Sequence, residues 1–233
     1  MLRLRSIVGV VVVLNGLALQ AQDLSALTAR LKNLKGKDTV RVDVVVEADT
    51  TGGGGEAPVG FEKLRLSIAC DPNGLKLTVQ GAIAETHLFR EFSLFRASEI
   101  VHYGPSLVRE LTGMELVEGR RDTWEGVPCT RWVLEATEKR SQLGVKATAR
   151  KTVELWLDAD GYPMAASFVK KGESRVLLLK VTRESKRQQR YKRVGDRLVI
   201  TLDKTEDADR AGKSQEAKRT VTTKAQVVDG AGL

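Results

Sequence analysis

Residues able to serve as nucleophiles, bases or metal ligands are sparse in this chain. Its 233 residues include two cysteines, Cys70 and Cys129, and two histidines, His87 and His102. A zinc finger, an iron–sulfur site or a histidine-rich centre draws most of its ligands from these types, so no metal site is expected and no cofactor is implied. Neither histidine sits in an HExxH arrangement, and both read as surface or packing residues. Asp158-Ala-Asp160 runs into Gly161 without the remaining ligands of a calcium loop and reads as a turn. The glycines 52–55 lead to no Gly-Lys-Ser/Thr and form a flexible loop, not a phosphate cradle. No Gly-x-Ser-x-Gly elbow is present. Glu135 and Glu154 fall on neighbouring predicted strands, and paired carboxylates can hydrolyse glycosides, but nothing in the spacing sets their separation or raises a pKa. The expectation is a protein without a catalytic residue set.

Binding chemistry is better represented. Leu88–Phe95 holds three of the five phenylalanines, Phe89, Phe92 and Phe95, and a short helix Pro105–Leu111 closed by Gly113 follows. This stretch serves either as core filling or as an apolar surface for a ligand or partner. In the second reading Phe89, Phe92, Phe95, Leu107 and Leu111 form a lid or rim, with Trp132 and Trp156 as walls. The other concentration is charge: Lys186, Arg187, Arg190, Lys192 and Arg193 surround Tyr191. It reads as a solvated sheet face or as a stripe for an anionic membrane surface. Nucleic acid is disfavoured, because single strands need several interleaved aromatics and only Tyr191 is offered.

These residues must be positioned by elements legible from periodicity. Arg3 and Arg5 precede an apolar run from Ile7 to Leu14, and Ala18-Leu-Gln-Ala21 supplies a small residue at a cleavage point, the order of an export signal spanning 1–21. The run is shorter than the roughly 20 residues that span a bilayer, so no transmembrane segment is expected in the mature chain. The expected location is periplasmic or secreted. The signal contributes two of the 38 basic residues, leaving 36 against 30 acidic ones. In an oxidising compartment Cys70 and Cys129 either pair as one disulfide or stay as buried thiols. Residues 22–233 read as a single β-rich domain with flexible loops near 50–58 and 203–219. Leu24, Leu27, Leu31 and Leu34 make one helical stripe. Val40, Val42, Val44 and Val46 alternate as a half-buried strand, and Asp71-Pro-Asn-Gly74 turns a hairpin over 61–81. From Val127 onward strands are predicted at 127–136, 148–157, 162–170, 175–182, 188–194, 197–202 and 220–228, with turns at Asp158–Gly161, Lys171-Gly172 and Gly195-Asp196.

About ten mostly consecutive strands without crossover helices favour a mainly β (α+β) fold: a strongly curved, unclosed antiparallel β-barrel or half-barrel with an N-terminal helix and a short helical lid. The export signal, the leucine helix leading into the valine strand, Gly126-Val-Pro-Cys-Thr-Arg-Trp-Val-Leu134 and Val153-Glu-Leu-Trp-Leu-Asp-Ala-Asp-Gly-Tyr-Pro163 together resemble the periplasmic superfamily of the outer-membrane lipoprotein carrier and its receptor. The resemblance spans about 130 of the 233 residues. It implies an unclosed barrel wrapped around helices, with an apolar cavity for acyl chains. The Gly52–Gly55 loop and the basic final third depart from the family pattern. The function expected is an exported binding or carrier protein for a lipoprotein, lipid or other amphipathic envelope ligand. The alternatives are a structural or protein-interaction module of the cell envelope, and a basic binder of anionic surfaces.

Overall fold

The computed structural model describes residues 24–51, 60–80, 87–142, 145–176, 179–211 and 217–228. The valine alternation produces β1 (Val40–Thr51), whose even positions from Val40 to Val46 are buried while Arg41 and Asp43 face water. A hairpin follows, β2 (Gly60–Asp71) and β3 (Gly74–Val79). Its turn is closed by Asp71 Oδ1, which accepts from the amides of Asn73 and Gly74 at 2.8 and 3.0 Å. The remaining strands are β4 (Glu115–Trp124), β5 (Val127–Gln142), β6 (Val145–Leu157), β7 (Pro163–Val176), β8 (Leu179–Val194), β9 (Arg197–Ala211) and β10 (Ala217–Val227). Four helices are described: α1 (24–33), α2 (His87–Glu91), α3 (Leu94–Val101) and α4 (Gly104–Leu111). Ser93 caps α3, its hydroxyl accepting from the Arg96 amide at 3.2 Å.

All ten strands lie in one antiparallel sheet, in the order β3-β2-β1-β10-β9-β8-β7-β6-β5-β4. β4 to β10 form a meander, and the pairing of β1 with β10 joins it to the N-terminal hairpin. The expected strongly curved barrel or half-barrel does not form. The sheet is open and not strongly curled, with β3 and β4 as its two free edges. Curvature needs bulges or glycine kinks repeated along the strands. Among the described residues the register shifts at only three places, Leu116/Glu118, Trp156/Leu157 and Arg190/Tyr191.

Two predicted breaks are also absent. The chain passes Lys171-Gly172 without turning, and β7 continues to Val176, held by cross-strand pairs such as Lys171 with Glu184. Residues 203–211, expected in a loop, extend β9, where Arg183 pairs with Asp209 across to β8. Opposite charges on facing residues supply what apolar alternation supplies elsewhere. The glycines 52–55 and residues 1–21 lie outside the described residues.

The helices lie against one face of the sheet, leaving the other to solvent as antiparallel sheets allow. Buried side chains form two apolar clusters. One joins Leu27, Leu31, Leu107 and Leu111 of α1 and α4 to Leu134, Val153, Leu155 and Phe168 of β5 to β7. The other joins Leu88, Ala97 and Ile100 of α2 and α3 to the β1 valines, Leu66 and Ile68.

Candidate functional site

A cavity of about 600 Å³ opens between α1, α4 and the start of β4. Leu24, Val108, Leu111, Met114 and Leu116 supply its apolar wall, and Ser25, Thr28, Thr112, Gly113 and Glu115 complete it. Its position follows from the chain: Gly113 (φ +76°) reverses the backbone after α4, and Met114, just before β4, and Leu116, within it, then line the cavity with Leu24 of the first turn of α1. The hydroxyls of Thr28 and Thr112 donate to the carbonyls of Leu24 and Val108, each at 2.9 Å, so they ask little of an occupant. Glu115 is the one charged residue among the described lining residues. It faces Glu135 across β5, whose carboxylate is held by Arg150 at 2.8 Å. The wall is anchored where Lys151 of β6 donates to the Glu110 carbonyl at 2.7 Å and pairs with the Glu110 carboxylate.

Between the two apolar clusters runs a buried ionic seam. Asp203 of β9, 1% exposed, accepts from Arg187 Nε and Nη2 at 2.9 and 2.8 Å and pairs with Arg96 of α3. Burial alone would raise its carboxyl, but the hydrogen bonds and charges of Arg187 and Arg96 prevail and hold it below the ordinary aspartate value. Arg187 also donates to Tyr103 Oη at 3.2 Å, and the Tyr103 and Tyr191 rings stack with centroids 5.7 Å apart. Burial pushes the Tyr103 phenol up to about 12. The Tyr103 amide donates to the Leu198 carbonyl at 2.7 Å, so the joint between α3 and α4 is fixed to β9. Sequence reading assigned these groups no such role, because their partners lie far apart in the chain. A buried-strand pattern interrupted by Asp203 after Leu198 to Ile200 was the available signal.

The structure scatters the residues expected to form an apolar site. Leu111 alone among them lines the cavity. Leu107 is fully buried beneath it and Trp132 is buried in the same cluster. Phe89 and Phe92 pack, half-buried, against the second cluster. Phe95 is 62% exposed, with the Arg109 guanidinium 5.9 Å above its ring. Trp156 lies on the opposite sheet face, where Trp124 approaches to 4.4 Å between centroids. Leu24, Val108, Met114 and Leu116 were missing from that expected set because a cavity wall is assembled from three separate elements.

The basic residues divide by alternation. Arg187 turns into the seam, while Lys186 and Arg190 face the open side and approach Glu184 at 3.4 Å and Glu125 at 2.5 Å. Lys192 is exposed, and Arg193 lies 4.5 Å over the Tyr162 ring. Cys70 and Cys129 are free thiols on β2 and β5, seven strand steps apart. At about 4.8 Å per step they are separated by on the order of 30 Å, against the roughly 7 Å a disulfide tolerates, so the intrachain bond weighed from sequence does not form. Glu135 and Glu154 are each taken by an arginine, Arg150 at 2.8 Å and Arg131 at 2.9 Å. Among the described residues no helix is long and apolar enough to cross a membrane.

No protein-family model, curated protein or solved structure matches the chain.

Proposed function

We propose that this chain is an exported binding or carrier protein for an amphipathic ligand of the cell envelope, whose apolar part enters the cavity between α1, α4 and β4. The observation that carries this reading is the cavity itself: about 600 Å³, walled by five apolar side chains. Ligand sites generally occupy about 300–1,000 Å³ and combine apolar walls with a few polar groups. Burial of an alkyl chain there contributes about 0.8 kcal/mol per methylene group before the costs of association. The two satisfied threonine hydroxyls favour an apolar tail. The resemblance to the lipoprotein-carrier superfamily agrees with an acylated ligand.

The test is native mass spectrometry of the gently purified protein, with lipid extraction from the same sample. A co-purifying acyl species in fixed stoichiometry supports the reading and gives its chemical class. A ligand-free protein that also takes up nothing from envelope lipids overturns it. A second reading, a protein-interaction module, is favoured by Leu94 and Phe95, adjacent at the start of α3 and exposed by 64% and 62%.

A further inference from the structure

His102 occupies a three-way joint. Its own amide ends α3 by donating to the Ser98 carbonyl at 3.0 Å, and α4 begins two residues later. Its ring lies flush on Gly36 of the α1–β1 linker, so close that a Cβ there would meet His102 Cδ2 at 2.8 Å. Gly104 borders it from α4. The linker is itself bound to the β8–β9 turn: Asp196 accepts from the amides of Lys37 and Asp38, each at 2.9 Å, and Asp38 accepts from the Asp196 amide at 2.8 Å. Arg197, 2% exposed, donates through Nε to the Asp38 carbonyl at 2.5 Å.

Two nitrogens at this joint are buried without a hydrogen-bond partner among the described residues, His102 Nδ1 and Arg197 Nη2. A neutral imidazole leaves only a weak unmet acceptor. A protonated ring, itself half-buried, places a second cation beside the buried Arg197, opposed by the Asp196 carboxylate, which already serves two amides. Burial acts most strongly against protonation of His102, Arg197 of β9 adds to it, and Asp196 of the turn opposes both. Lys35, Lys37 and Asp38 supply the linker's charges; the Lys35 ammonium donates to the Lys32 carbonyl, and Asp38 is bound to the Asp196 amide.

We propose that His102 is an acid-sensitive fastening of the α3–α4 pair, and that its protonation loosens α4 and makes the cavity surrender its occupant. The coupling is structural: α4 begins two residues beyond His102 and contributes Val108 and Leu111 to the cavity. The ligand part of this inference rests on the reading of the cavity as a binding site. The joint favours the neutral ring, so the fastening is at full strength above the free imidazole pKa of about 6.5 and weakens as pH falls below it. Each unit by which the folded joint depresses that pKa shifts the closed-to-open ratio about tenfold once pH is below both values. Asp196 and Asp203 are both held below the ordinary aspartate value and titrate beneath this window.

The experiment compares pH 7.5 with pH 5.5 by two readouts on the protein: hydrogen exchange of residues 98–112, corrected for the intrinsic pH effect, and binding of the neutral fluorophore N-phenyl-1-naphthylamine. Wild type should lose exchange protection and dye affinity at pH 5.5, by up to about tenfold, the ceiling for one imidazole one unit below its free pKa of about 6.5, while His102→Gln keeps its pH 7.5 behaviour and His87→Gln behaves as wild type. If His102→Gln does not fold, the wild-type His102 ring resonance must titrate together with the loss of protection. A flat wild-type profile, or an equal acid response in folded His102→Gln, overturns the fastening. Absence of dye binding at both pH values with the exchange response intact overturns the cavity reading and upholds the fastening.

Discussion

Replacing Asp203 by asparagine removes the one negative charge that Arg187 and Arg96 share between the two apolar clusters. The carboxylate accepts two hydrogen bonds from Arg187, at 2.9 and 2.8 Å, and pairs with Arg96. Breaking a buried pair by removing one partner costs about 3–5 kcal/mol, because the other charge stays behind. Here the two guanidinium side chains remain 21% and 26% exposed. Water can then reach them in part, and asparagine retains one acceptor, so the lower end applies: about 3 kcal/mol at pH 7. For a chain of this size that corresponds to a fall in Tm of roughly 6–12 °C. Urea unfolding followed by tryptophan fluorescence measures the change directly. The sign with pH is fixed by the lowered Asp203 carboxyl. Its stabilisation is complete above the unfolded aspartate value of about 3.9 and is lost as pH falls through the folded-state value, so the gap between wild type and variant closes in acid. A loss below about 1 kcal/mol at pH 7, or a gap that stays constant into acid, would refute the ionic seam as a stabilising element.

Leu107→Ala empties a fully buried position on the inner face of α4 and should cost about 2–5 kcal/mol in the same urea assay. Gly195→Ala places a Cβ against the Asp38 carboxylate at φ +56°. It should destabilise by more than about 1 kcal/mol in thermal unfolding, since neither the backbone nor the space suits alanine. Leu116→Glu puts a carboxylate into the apolar cavity wall and should weaken N-phenyl-1-naphthylamine binding at least tenfold in fluorescence titration, while Phe95→Ser, at an exposed position outside the lining, should leave it unchanged.

Much of the secondary structure was legible because one-sided burial leaves a period: the β1 valines, the α1 leucines and the Asp71–Gly74 turn all declare themselves locally. The long polar strands were harder. Residues 203–211 and 170–176 have few apolar alternations, and facing charges on β8 are legible only once the register is known. The openness of the sheet was equally hidden, since a run of consecutive antiparallel strands fits a curled sheet as well as an open one until the bulges are counted. At the candidate site, the dense phenylalanines drew attention to Phe89, Phe92 and Phe95, yet two pack against β1–β2 and the third stays in solvent. The cavity belongs to ordinary residues of α1, α4 and β4, which only the fold brings together. Alternation explains the divided basic segment: Arg187 and Lys186 are neighbours in sequence and lie on opposite faces of β8.

The central claim is that an apolar chain occupies the cavity between α1, α4 and β4. Photocrosslinking with a diazirine-bearing fatty alcohol, followed by peptide mapping, tests it directly. Label concentrated on residues 24–28 and 108–116, and diminished by Leu116→Glu, is the predicted result. Label confined to Leu94–Phe95 or to the Trp124–Trp156 face, or absent from the folded protein, would contradict the account.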